Sequence, residues 1–343
     1  MTSPDIPHQL IHAPLSVAAG KAAGMTRAQL RRRGLSTPRR GVRVAKATTN
    51  DLLADLRAYA ARIPAGAAFC GESAARIYGL PHPDSPKPRP TSQIPATPAQ
   101  PALPQAVDES PQQIYVAAAR GRSKPRGVGI VGRRLSKPMF QVRTFRRLPV
   151  LQPVETFLSC CGSLTVEDAV VMLDALLTNK SHYPGLRLNQ RPAATMKTLE
   201  VRLQEVGSIP GIGIARQALA LARRRVASPM ETRLRLLLVR SGLPEPEVNG
   251  IVKSPAGDWS AEIDLLYREA MIAVEYEGDV HRTDEKTFRR DLERERRLRA
   301  LGYEYVRVTV TAMGEDGTLI ADLRAVLTRR TNPPAASGAP SAH

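Results

Sequence analysis

At 343 residues, with 42% apolar and only 4% aromatic residues, the chain is long enough for two or three domains built on aliphatic cores. A net charge of +18 points to polyanionic partners, nucleic acid first, and residues 1–227 carry all of the excess, with 33 Lys and Arg against 13 Asp and Glu. No apolar run approaches the roughly 20 residues that cross a bilayer, and MTSPDIPHQLIHAPLSV lacks the charged and apolar regions of a secretory signal, so a cytoplasmic, membrane-free protein is expected.

In chain order, residues 1–50 read as a short module compatible with a reduced winged helix-turn-helix. Thr26 and Gln29 fit a capping box, a helix is expected through Leu30 to Arg33, Gly34 suits its end, and RRGVRVA (39–45) reads as a basic strand. No second recognition helix is evident. Arg31, Arg32 and Arg33 are the DNA-contact candidates there. Residues 51–227 read as a mixed α/β basic region. Helices are expected over DLLADLRAYAARI and GESAARIYGL, strands from IYVAAA to MFQVRTF, and helices over 153–178 and 196–226. Ten prolines in 81–111 mark an extended insertion without regular structure. Cys70, Cys160 and Cys161 are odd in number and lack metal-type spacing, so they read as thiols rather than a disulfide or zinc framework.

Residues 228–330 show the clearest pattern. Ser228, Pro229 and Glu231 open a helix that ends at Gly242. Strands follow over EVNGIV, AEIDLLY (261–267) and MIAVEYE (271–277). A long basic helix ends at Gly302, and YEYVRVTV (303–310) is a last strand. The order is αβββαβ, and the fold class is mixed α/β (α+β). Residues 331–343 read as a disordered tail.

The period of two along a strand places Ala261, Ile263, Leu265 and Tyr267 on one face, with Glu262 and Asp264 on the other. In the next strand Ile272, Val274 and Tyr276 share one face, and Glu275 and Glu277 the other. A two-residue turn within YREAM makes the pair antiparallel, with Asp264 opposite or diagonal to Glu275 at about 5–8 Å. Crowded carboxylates repel unless a cation sits between them, and a hard divalent ion with oxygen ligands is the economical answer. A solvated polar face on an edge hairpin is the plain alternative. Glu231 has a sufficient role as a capping-box acid, yet Leu234 and Leu238 place it at the edge of the stripe that faces the sheet. His281 stands where a proton carrier or phosphate contact is useful. Arg289, Arg290, Arg294, Arg296 and Arg297 read as a solvated helix face, some of which can hold a phosphate backbone.

SPMETRLRLLL, EIDLLY, IAVEYEGDVHR and RRDLERERRLRALGYEYVRVT together resemble the Vsr-like branch of the PD-(D/E)XK restriction-endonuclease-like nucleases, over about a quarter of the chain. The resemblance implies a restriction-endonuclease-like core and cleavage of DNA with Mg²⁺ or Mn²⁺. Asp264 and Glu275 match the metal ligands, and Glu231 the acid of the first helix. Glu277 stands where the family name implies Lys, and Gly278 and His281 follow as in this branch. The implied catalytic set is Glu231, Asp264, Glu275, Glu277 and His281, with Arg289, Arg290 and Arg294 on DNA; His281, Lys286 or Arg290 would take over the Lys function.

MTRAQLRRRGL…RRGVRVA, GESAARIYGLP and LPVLQPVETFLSC resemble the front of AbiEi-type antitoxins of bacterial type IV toxin–antitoxin systems. That resemblance implies a non-catalytic transcriptional regulator, with a toxin as partner, as the alternative to the nuclease. An RNA-processing nuclease would use the same chemistry, but the scarcity of aromatics speaks against it.

Overall fold

The computed structural model describes residues 14–32, 34–37, 41–45, 53–83, 113–180, 183, 186, 193–278, 285–314 and 317–331, with the backbone alone over 285–288. Residues 84–111 of the expected insertion 81–111 lie outside the described residues, as do 332–343 of the expected tail 331–343, whose first residue, Thr331, instead ends the last helix. The described chain forms eleven α-helices and three sheets of mixed strand orientation, so the class is mixed α/β. It divides into two compact units, one from 1–165 with 190–217, the other from 166–189 with 218–343. None of the described helices is long and apolar enough to cross a membrane.

In the first unit, strands β1 (Leu15–Ser16), β2 (Leu35–Ser36) and β3 (Val42–Ala45) form an antiparallel sheet in the order β1-β3-β2, with helix α1 (Val17–Ala22) after β1. The capping box is present: Thr26 N–H donates to Gln29 Oε1 at 2.8 Å, and Gln29 N–H to Thr26 Oγ1 at 3.2 Å. It opens only a single 3-10 turn, Gln29–Arg31, rather than the expected helix through Arg33. The physical reason is that Leu30 alone offers apolar surface to Met25 and Leu35, too little to support further turns.

Next come α2 (Ala54–Ala60), β4 (Ala67–Phe69), α3 (Gly71–Tyr78), β5 (Ile114–Ala119), β6 (Ile130–Leu135), β7 (Val142–Phe145), β8 (Leu148–Leu151) and α4 (Pro153–Cys160). The strands make a five-stranded sheet in the order β6-β5-β4-β8-β7. Cys70, Cys160 and Cys161 are free, buried thiols of this unit, as their spacing implies. The expected helix 153–178 is two helices, α4 and α5 (Val166–Leu177), divided by a 3-10 turn. The helical stretch 196–226 is likewise α6 (Met196–Glu205) and α7 (Ile212–Leu221), parted at Gly207 and Gly211, both with positive φ.

The second unit contains α5 and then α8 (Pro229–Arg240), β9 (Glu247–Lys253), β10 (Ser260–Tyr267), β11 (Ile272–Tyr276), α9 (Glu285–Ala300), β12 (Glu304–Val308), α10 (Val310–Gly314) and α11 (Thr318–Thr331). From α8 to β12 this is the αβββαβ order read from the sequence. Ser228 Oγ caps α8 by accepting from Glu231 N at 3.2 Å, and Pro229 opens it. The sheet order is β12-β11-β10-β9; β11 and β12 are parallel, which the α9 crossover permits. Leu234 and Leu238 of α8, with Leu323 and Leu327 of α11, cover one sheet face, and Leu298 of α9 covers the other. The β10–β11 connection is four residues, Arg268–Met271, rather than two.

The simple alternation along β10 does not hold throughout. Leu265 and Tyr267 pack with Leu234, whereas Ala261 and Ile263 pack with Leu298 on the other face. The switch falls at Asp264, next to Asn249 of β9, whose φ of 47° is left-handed. That kink re-aims both strands. At Gly250 beside it a Cβ would lie 2.7 Å from Leu266 Cδ2, so any side chain there would displace Leu266.

Candidate active site

The paired register of β10 and β11 ends at Leu265 and Val274, and Asp264 and Glu275 are the next residues on each strand. There the strands part, and side chains replace the ladder: Tyr276 N–H donates to Asp264 Oδ2 at 2.9 Å. Glu275 points towards α9. Its Oε1 accepts from the Arg294 guanidinium and its Oε2 from the Tyr305 hydroxyl at 2.5 Å. Arg294 also donates to the Glu262 carbonyl.

Glu231 approaches from α8 and is only 6% exposed. Its Oε2 accepts from Ala227 N–H and from the Asn249 amide, both at 2.9 Å. Glu231 thus faces the sheet and is tied to the kinked residue beside Asp264; of the expected capping box only the Ser228 half forms, because the Glu231 carboxylate binds Ala227 N–H, one residue before the cap. Glu262 lies on the flank, where its Oε1 accepts from Lys180 and, at 2.9 Å, from Arg225. Lys180 follows α5, and its segment is held by Thr178 Oγ1 donating to the Val226 carbonyl.

Burial, and then the Glu231 charge, push the Asp264 carboxyl up to about 7. Burial likewise raises Glu275 to about 7, against the pull of Arg294 and with a push from Asp264. Glu231 is also raised, chiefly by burial. For Glu262, burial opposes ionisation, but Lys180 and Arg225 together hold it below the usual range. Between about pH 4 and pH 7 the folded chain therefore keeps protons on Asp264 and Glu275 that the unfolded chain has released. This contribution to stability is fully present below the ordinary carboxyl range and is lost as pH rises to about 7, each tenfold difference in proton affinity between the two states being worth about 1.4 kcal/mol. The expected result is a Tm in EDTA that falls more steeply from pH 5 to pH 7.5 for wild type than for Asp264→Asn. Parallel curves would rule out a carboxyl that resists ionisation at this position.

A cavity of about 750 Å³ opens beside these acids, lined by Asp264 and Glu262 on the sheet and by Arg289, Arg290 and Arg294 on α9. The structure thus brings Glu231, Asp264, Glu275 and the three α9 arginines together. Glu277 follows β11, where its N–H donates to the Val308 carbonyl at 2.8 Å and closes the pairing with β12, and its charge acts on Arg307. Exposed Arg31 and half-buried Arg32 belong to the first unit. His281 and Arg33 lie outside the described residues, as does the Lys286 side chain.

Among the described residues no three His, Cys, Asp or Glu side chains converge as a metal-holding group. Mg²⁺, however, is commonly held by one or two carboxylates, with water and substrate phosphate completing its shell. Asp264 and Glu275, two adjacent hard-oxygen donors that resist ionisation side by side, fit that demand. The sequence reading missed Lys180, Arg225, Asn249 and Tyr305. Only Tyr305 carried a signal: it alternates with Tyr303 and Arg307 on a strand whose register sets Tyr305 beside Ala273, two residues from Glu275.

Fold and site define a mixed α/β protein with an acid cluster opposed by arginines. No family model matches the chain, and no solved structure matches it. Two uncharacterized proteins of Mycobacterium tuberculosis, MT2308 and Rv2248, are each 31% identical to it over 121 residues. The match covers 35% of this chain and 44% of each relative, so it spans less than half of their length.

Proposed function

We propose that this protein is a metal-dependent DNA endonuclease of the Vsr-like PD-(D/E)XK type, with residues 1–227 supplying a basic DNA-gripping region. The observation that carries the reading is the pair Asp264 and Glu275 at the fork of β10 and β11, with Asp264 lining the cavity that the α9 arginines also line and Glu275 bound to one of them, Arg294. Asp264 and Glu275 would hold Mg²⁺ or Mn²⁺, which would supply a Lewis acid for activating water and offsetting charge on the leaving oxygen. Arg289 and Arg290 hold the scissile strand by its phosphates. Glu231 holds Asn249, and so the kink that presents Asp264. Arg294 and Tyr305 orient Glu275.

Two observations favour a second reading, a non-catalytic regulator of antitoxin type that pairs with a toxin. Both Glu275 oxygens already have protein donors, and Glu277 stands where a cation would assist catalysis. Calorimetric titration of Mn²⁺ in the presence of DNA that offers both duplex and single-stranded stretches separates the two. The nuclease reading expects binding that Glu275→Ala weakens at least about tenfold, a change of about 1.4 kcal/mol. Absence of binding with DNA present would favour the regulator.

A further inference from the structure

We propose that Trp259 is a base-stacking platform, and that the cavity takes an unpaired nucleotide rather than a closed duplex. The inference rests on the nuclease reading and adds its substrate class.

Trp259 is the only tryptophan of the chain, and it lines the same cavity as Asp264. It closes the turn between β9 and β10, where two backbone contacts fix it: its carbonyl accepts from Ser254 N–H at 3.0 Å, and its N–H donates to Ser254 Oγ at 3.2 Å. Ser254 Oγ in turn donates to Asp258 at 2.5 Å. The ring is half-buried, packed against the cluster of Val252, Ala261 and Ile263, so it is held firmly while keeping surface towards the cavity.

Arg297 places its guanidinium 5.8 Å from the ring centroid, braced by Glu293 Oε1 at 2.8 Å. An aromatic ring beside a cation, in a recess that holds phosphate-binding arginines, is the arrangement that grips an unstacked base. Arg297 is 47% exposed and can swing off the ring to admit the base. Trp259 immediately precedes β10 and stands five residues from Asp264, roughly 17 Å along an extended chain. A strand whose base rests on Trp259 can therefore run on to the acids.

The need for an unpaired nucleotide follows from geometry. In a duplex the base faces are covered by neighbouring pairs, and only edges reach the grooves. A ring face becomes available at a single strand, a flap or an extruded base. The recess, of about 750 Å³, has room for a nucleotide or two beside Trp259.

A single tryptophan makes the test direct. Its intrinsic fluorescence is followed, with EDTA present to prevent cutting, while a single-stranded DNA oligonucleotide, its RNA counterpart and the blunt duplex of the same sequence are titrated. Anisotropy of labelled strands reports binding. The single strand is expected to quench Trp259 well beyond the duplex; stronger quenching by DNA or by RNA identifies the source of the base. Trp259→Leu should lower single-strand affinity about tenfold, with duplex affinity unchanged and Trp259→Phe intermediate. Equal quenching by the blunt duplex, or a bound single strand that leaves the fluorescence unchanged, overturns the proposal. If such a protein still cuts DNA with Mn²⁺, the nuclease reading survives alone. Stacking without any cutting would retain the platform and remove the nuclease reading.

Discussion

Asp264→Ala is expected to lower metal-dependent cleavage at least about 10³-fold, because charge stabilisation of several kcal/mol disappears with one metal ligand. Folding should survive. The substitution removes one hydrogen bond, from Tyr276 N–H, worth about 1 kcal/mol. It also removes a carboxylate that burial and Glu231 push up to about 7. At pH 7.5 the two effects oppose each other, so the Tm should stay near that of wild type or rise. Affinity for DNA in EDTA should be unchanged, because the arginines of α9 remain. Retained cleavage would remove Asp264 from the mechanism, whereas a loss accompanied by unfolding would make its role structural.

Arg235→Ala should be the most damaging single change to stability. Arg235 is 1% exposed and Asp174 is not exposed at all. The guanidinium bonds Asp174 Oδ2 at 3.3 Å and the Leu221 carbonyl at 2.9 Å, and Glu245 at 3.1 Å. Asp174 also accepts from Thr232 Oγ1 at 2.9 Å and Arg223 N–H at 2.7 Å. Burial already raises the Asp174 carboxyl to about 6 in spite of these partners. Removing the arginine leaves a buried carboxylate without its counter-ion, a loss of about 3–5 kcal/mol. Urea unfolding measures it, and the double variant Asp174→Asn/Arg235→Met should recover most of the loss. A loss below about 1 kcal/mol would mean that the pair does not clamp α5 to α8. That clamp reaches the site from both sides, since α8 carries Glu231 and α5 leads to Lys180.

The second unit was legible because its signals are local. A Ser-Pro-x-Glu start, glycines past helix ends and strands of period two fixed the αβββαβ order and the neighbouring positions of Asp264 and Glu275. The reversal of faces at Asp264 was not legible, because it arises from a left-handed Asn249 on a different strand. Lys180 reaches Glu262 across 82 residues, and no local pattern encodes such a pairing. In the first unit, the short helix after Thr26 failed for want of apolar partners, although its capping box formed as expected.

The most direct test is nicking of supercoiled plasmid by the purified full-length protein with Mg²⁺ or Mn²⁺, beside EDTA and the Asp264→Ala variant. Nicking that needs the metal and disappears in the variant is the predicted result. An intact plasmid in every lane, with DNA bound throughout, would contradict the nuclease account and leave a DNA-binding regulator built on the same fold.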